Sequence, residues 1–117
     1  MGRLSMHMLD TVAGEGAGGI RVDFSKLEDG SYKLIRSIVT NEVGRTPAPL
    51  LEGDPIAVGS YQFEVYVAEY YAKKGMKLES GPFFDKLPVR FTVFDGKQNY
   101  HVPVQFTPWG YTTYRGQ

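Results

Sequence analysis

The sequence predicts an all-β fold, a sandwich or barrel of eight strands with one short helix. Three observations carry this prediction. Eight tyrosines, seven phenylalanines and many valines favour pleated, half-buried surfaces. Fourteen glycines and seven prolines cut the 117 residues at short intervals. Between the cuts, apolar and polar residues alternate with the period of a strand. A chain of this length forms one domain, residues 1–117, with its own core.

The first strand, Leu4–Leu9, sets Leu4, Met6 and Met8 on one face and leaves Arg3, Ser5 and His7 on the other. The stretch Ala13–Gly19 holds four glycines in seven residues and reads as a loop. It lacks a Lys followed by Ser or Thr and opens no helix, so it is not a phosphate-binding loop. Strands follow at Ile20–Ser25 and Tyr32–Thr40, with a short one at Ala48–Leu51. In Tyr61–Val67 the alternation places Tyr61, Phe63, Val65 and Val67 inside, with Gln62, Glu64 and Tyr66 outside. Ala68–Lys74 has no glycine, proline or β-branched residue and reads as two helical turns. Lysines stand at its C-terminal end, where the helix dipole favours cations, and Gly75 supplies the stop. Val89–Phe94, Tyr100–Thr107 and Tyr111–Arg115 complete the eight.

Charge excludes several partners. Thirteen basic and thirteen acidic residues balance, and no basic cluster exceeds Lys73-Lys74, so nucleic acid is a poor partner. No apolar run is long enough to span a membrane. There are no cysteines, hence no disulfide framework and no thiolate metal site. The start lacks the apolar stretch of a secretory signal and departs from the myristoylation pattern at Met6, which makes the cytoplasm the expected location.

The two histidines of the chain, His7 and His101, stand one near each end. In the later strand Tyr100, Val102, Val104 and Phe106 take the apolar face, leaving His101, Pro103, Gln105 and Thr107 on the other. Both imidazoles therefore lie off the core face. A single such histidine would be read as an exposed strand residue without a role. Two on matching faces of terminal strands point to a site, because histidine titrates near neutral pH. A metal site lacks its pattern: no His-x-His or His-x-x-x-His pair occurs, and no third ligand is indicated. Arg45, in Thr40-Asn41-Glu42-Val43-Gly44-Arg45-Thr46-Pro47, reads equally as a solvated turn residue or as an anchor for an anion or carbonyl. The aromatic tail from Trp109 to Tyr114 is unlike a frayed end and points to packing against another subunit.

Together these segments resemble one family. Leu4-Ser5-Met6-His7-Met8-Leu9-Asp10-Thr11 resembles the opening motif L-x-x-H-V-L-D-T of the transthyretin-like 5-hydroxyisourate hydrolases. Thr40-Asn41, Gly44-Arg45-Thr46 and Pro49-Leu50-Leu51 resemble their T-N-x-x-G-R-x-x-x-P-L-L segment. Tyr100-His101-Val102-Pro103 and the run Pro108-Trp109-Gly110-Tyr111-Thr112-Thr113-Tyr114-Arg115-Gly116 resemble their closing motifs. The resemblance implies an eight-stranded transthyretin-like (prealbumin-like) two-sheet sandwich with one short helix. It implies a homotetramer whose dimers pack face to face around a channel holding the active sites. The implied reaction is hydrolysis of 5-hydroxyisourate, the product of urate oxidation, to 2-oxo-4-hydroxy-4-carboxy-5-ureidoimidazoline, without a cofactor. By motif position, His7, Arg45 and His101 are the implied catalytic residues, and His7, Arg45, Tyr114 and Gln117 the implied substrate-binding residues. Which histidine is the base is left open.

Three departures stand out. Gln117 replaces the usual final serine, Gln105 replaces an apolar residue on the face of His101, and Gly14-Glu15-Gly16-Ala17 stands where Gly-x-Pro-Ala is common. The two glutamines add amide donors and acceptors near the expected site. They keep two rivals in view, a divergent cyclic-amide hydrolase and a small-ligand carrier on the same fold. The vertebrate hormone carrier transthyretin lacks the two histidines, the arginine and the Tyr-Arg-Gly ending retained here, which favours the enzyme.

Overall fold

The alternation read from the sequence becomes two facing sheets. The computed structural model describes residues Met1–Gly116, and the expectation placed on Gln117 lies outside the described residues. The strands are β1 (Gly2–Asp10), β2 (Glu15–Gly16), β3 (Arg21–Glu28), β4 (Ser31–Val39), β5 (Leu51–Gly53), β6 (Gly59–Val65), β7 (Leu87–Val93), β8 (Asn99–Thr107) and β9 (Gly110–Thr113). A single helix, α1 (Val67–Lys73), follows β6. One sheet runs β2-β1-β8-β9, with β5 also paired to β1, and the other runs β4-β3-β6-β7. Every pairing is antiparallel except β1 with β8, which run parallel.

The core lies between the sheets. Leu4, Met6 and Met8 of β1 and Val104 and Phe106 of β8 are buried against Val22, Phe24, Phe63 and Val65 of the opposite sheet. Removing this apolar area from water is the main stabilising term. Phe24 stacks on Tyr61 with ring centroids 5.5 Å apart. Helix α1 buries Val67, Tyr70 and Tyr71, three and four residues apart on one face. No helix of the described residues is long and apolar enough to cross a membrane.

All eight expected strands form, and the differences have local causes. The glycine-rich stretch expected as a loop contains the two-residue β2, a ninth strand, because the chain doubles back on β1 and Ala17 donates to the carbonyl of Met8 at 2.8 Å. The short fourth strand forms later than expected, at Leu51–Gly53, since Pro47 and Pro49 have no N–H to give a ladder. Val67, expected as an inward strand residue, is buried as the first residue of α1 instead. Gln62, expected outside, is buried, because Arg90 of β7 lies over it and donates to its Oε1 at 2.8 Å. The last strand ends at Thr113 rather than Arg115. The next residue would face Pro103, which has no N–H, and the register resumes only where Gly116 meets His101.

Candidate active site

Parallel pairing of β1 with β8 creates the site. Its register sets Ser5 opposite His101 and His7 opposite Pro103, all on the face turned away from the core. The two imidazoles, from opposite ends of the chain, thus stand on neighbouring strands within two residues of each other along the sheet. Both are half-buried.

The loop that carries Arg45 is folded by Asn41. The Oδ1 of Asn41 accepts from the backbone N–H groups of Val43, at 3.2 Å, and Arg45, at 3.0 Å. Its own N–H donates to the carbonyl of Arg45 at 2.8 Å. This is the local side-chain turn that asparagine favours. Gly44 has a φ of 83°, and a Cβ there would stand 2.2 Å from the carbonyl oxygen of Met8, so only glycine fits. The N–H of Met8 donates to the carbonyl of Gly44 at 2.9 Å and ties the loop to β1. The Asn-x-x-Gly-Arg pattern is therefore a device for setting Arg45 beside the strand that bears His7.

The same loop orients His7. Its Nε2 lies 2.8 Å from the carbonyl oxygen of Val43. A carbonyl only accepts, so Nε2 carries the proton and, in the neutral ring, Nδ1 carries the lone pair. His101 is held at its other nitrogen, with Nδ1 2.8 Å from the Oγ of Ser5. Burial, then the guanidinium of Arg45 and the neighbouring His7, push the His101 imidazole below its ordinary value of 6.5. His101 is consequently neutral at pH 7.

Arg45 and His101 share a cavity of about 360 Å³ with Arg3, Ser5, Asn99 and Tyr100. Arg3 and Arg45 also line an adjoining hollow of about 200 Å³ that runs towards Pro47 and Pro49. Arg45 is exposed, and among the described residues its guanidinium has no carboxylate within salt-bridge distance. The cavity is thus cationic and rich in donors, with a neutral imidazole on its wall. That arrangement suits an electron-rich, carbonyl-bearing ligand. Among the described residues no group of three or more His, Asp or Glu is placed to hold a metal ion.

Tyr114 lies elsewhere in the single chain. It follows β9, is 53% exposed and lines a separate groove of about 240 Å³ with Arg90, Phe91, Phe94, Val102 and Arg115. Gln105 is half-buried on the face of His101, two residue pairs beyond His7. The sequence reading missed Ser5 and Arg3 as members of the site. Strand parity already set both on the face of His7; the missing knowledge was that β1 pairs with β8, and in which register.

Comparison with known proteins gives the family. A model of the HIUase/Transthyretin family matches residues 4–116. The 5-hydroxyisourate hydrolase 2 of Rhizobium meliloti (strain 1021) is 41% identical over 115 residues, covering 98% of this chain and 96% of the relative. Among solved structures, (S)-allantoin synthase superposes with a TM-score of 0.90 at 36% identity, over 99% of this chain and 44% of that one. The 5-hydroxyisourate hydrolase of Klebsiella pneumoniae gives 0.80 at 29% identity over the whole of both chains. The match runs from β1 through the Asn41 loop to the residues beyond β9 and takes in both histidines and Arg45, and the chain belongs to the HIUase/transthyretin family.

Proposed function

We propose that this chain is a 5-hydroxyisourate hydrolase, which opens the ring with water to give 2-oxo-4-hydroxy-4-carboxy-5-ureidoimidazoline. The observation that carries the reading is the pairing of a neutral His101 with Arg45 on one cavity wall, beside a His7 whose protonated nitrogen is named by the Val43 carbonyl. Hydrolysis of a cyclic amide needs a water deprotonated near neutral pH and a stabilised oxyanion. One imidazole takes the proton from water as its oxygen adds to the carbonyl carbon. His7 does so through Nδ1, the nitrogen left without a proton, or His101 through Nε2, the nitrogen that Ser5 leaves free. Arg45 stabilises the oxyanion. The C–N bond then breaks, and the proton passes to the departing nitrogen, leaving a carboxylate and a ureido group. Neither step calls for a metal or a cofactor.

In this reading Tyr114 and Gln117 position the ring together with His7 and Arg45. Tyr114 lies in a separate groove of the single chain, so its part belongs to the assembled protein. We take that assembly to be a homotetramer of single-domain subunits (residues 1–117) whose histidine-bearing faces meet. The exposed side chains of Trp109, Tyr111 and Tyr114 support subunit packing, and the lack of cysteine supports a cytoplasmic location.

The test is spectrophotometric. Purified protein added to freshly generated 5-hydroxyisourate, in the presence of a chelator, is expected to speed its decay well above the spontaneous rate. Decay at the spontaneous rate, with saturable binding of the same compound, would establish the carrier instead. Activity lost to the chelator and restored by zinc would overturn the cofactor-free mechanism.

A further inference from the structure

We propose that Ser5 and Gly116 are positioning residues for His101: the serine holds Nδ1, the glycine makes room for the opposite ring edge, and Nε2 is left as the nitrogen turned to the cavity shared with Arg45. In an imidazole, Nδ1 and Cδ2 flank the carbon that joins the ring to the chain. Both flanks are occupied here. On one, the Oγ of Ser5 lies 2.8 Å from Nδ1. On the other, a Cβ built on Gly116 would stand 2.9 Å from Cδ2, 3.3 Å from the carbonyl oxygen of His101 and 3.4 Å from the Cδ of Pro103. Only a residue without a side chain fits that space. The distal atoms Cε1 and Nε2 are what remain, and among the described residues no hydrogen bond reaches Nε2.

Backbone fixes both sides of this clamp. Ser5 is set by the parallel register, which pairs it directly with His101. The N–H of Gly116 donates to the carbonyl of His101 at 2.6 Å, closing an isolated bridge beyond the end of β9. Arg115 anchors that tail by donating to the carbonyl of Asn99 at 3.1 Å, with its guanidinium 4.5 Å above the ring of Tyr100. A half-turn of the imidazole would lose the Ser5 contact and set Nδ1 against the glycine, so one ring orientation is selected.

The chemistry of serine suits a ring that must gain and lose a proton. Its hydroxyl accepts from Nδ1–H when Nε2 bears the lone pair and when the ring is protonated. It donates to Nδ1 when the proton sits on Nε2. A carboxylate in that place would favour the imidazolium. Serine orients the ring without charging it, which fits the depressed pKa of the buried imidazole.

The kinetic half of the test rests on the hydrolase reading, and the spectroscopic half does not. Nitrogen-resolved NMR of the two histidines in the resting protein is expected to show a hydrogen-bonded Nδ1 on His101. That signature is lost in Ser5→Ala and kept in Ser5→Thr. With 5-hydroxyisourate, Ser5→Ala is expected to lower kcat about tenfold with little change in KM, and Ser5→Thr to restore most of it. Gly116→Ala, which displaces the ring itself, is expected to lower kcat roughly a hundredfold. Wild-type kcat and unchanged His101 nitrogen signals in Ser5→Ala would overturn the proposal, as would a Ser5→Thr variant as slow as Ser5→Ala. If the wild type leaves 5-hydroxyisourate untouched, the hydrolase reading fails while the NMR signals still decide the clamp.

Discussion

His101 stands uncharged on the cavity wall, the state that the proposed reaction needs. Burial, then the Arg45 guanidinium and the neighbouring His7, lower its pKa from 6.5. With His101 as the base, the acidic limb of the kcat/KM profile is expected below 6.5. Replacing Arg45 with Met removes one cause, so the limb should move up towards that value as the overall rate falls. A profile unmoved by Arg45→Met would show that the two side chains do not communicate. The same shift has a stability consequence. The unfolded chain takes up this proton at a higher pH than the folded one does. The neutral ring's contribution is thus complete above 6.5 and is lost as pH falls from there to the folded-state value. Truncating either histidine to alanine is expected to cut turnover by about two to four orders of magnitude, the range for a positioned acid or base. Circular dichroism should remain native, because both rings lie off the core. Near-normal turnover in both variants would remove them from the chemistry. His7, His101 and Arg45 stood out in the sequence as candidates because few other side chain types suit such chemistry, and the structure brings them to neighbouring strands and one loop. Ser5 did not, because its importance lies in a partner 96 positions away.

At the scale of elements, one buried carboxylate joins the end of β1 to α1. Asp10 continues the inward parity of β1 and is 1% exposed. It accepts from the hydroxyls of Tyr70 and Tyr71, the N–H groups of Val12 and Ala13, and the ammonium of Lys74, the last at 3.1 Å. Burial pushes its pKa up, but these donors outweigh it and hold the carboxyl below its ordinary value of 3.8. Its contribution to stability is therefore present above 3.8 and lost as pH falls through the folded-state value. Asp10→Asn is expected to destabilise by about 3 kcal/mol, since an amide cannot serve so many donors and leaves buried hydroxyls unpaired. Calorimetry at fixed protein concentration would measure it, and a change under about 0.5 kcal/mol would mark the network as dispensable. Periodicity placed all the major strands, because alternation is a direct consequence of one buried face. The errors in strand bounds fell where a backbone hydrogen bond was missing or added, at Pro47 and Pro49, at Pro103 and at the turn-back that makes β2, while Val67 went to the helix and Gln62 was buried by the side chain of Arg90. Such events depend on what lies across the sheet, which a linear pattern does not display.

For the whole molecule, the unfinished parts are the edges. Strands β7 and β9 end their respective sheets, and the hydroxyl of Tyr111 reaches from one to the carbonyl of Pro88 on the other at 3.1 Å. Phe94, Trp109, Tyr111 and Tyr114 are exposed along the same margin. Open edges with aromatic neighbours are a liability in water unless another chain covers them. Light scattering behind size exclusion is expected to give four times the mass of one chain. A fully active monomer at high dilution would contradict both the assembly and the part given to Tyr114. The two-sheet architecture could be read from the sequence. The expectation of subunit packing came from the aromatic tail, and that of four subunits only from the resemblance, because a count of subunits is not written in any residue pattern of one chain.

The parallel pairing of β1 with β8 also sets when the candidate site can form. Synthesis proceeds from the N-terminus, so β1 emerges early and loses its antiparallel options to β2 and β5 well before β8 exists. Until the eighth strand leaves the ribosome, Ser5 and His7 sit on a strand whose neighbour bearing His101 has not been made. A nascent chain therefore carries only half of the candidate site. The Ser5–His101 contact spans 96 positions of sequence, and such non-local pairings are the slow kind to form.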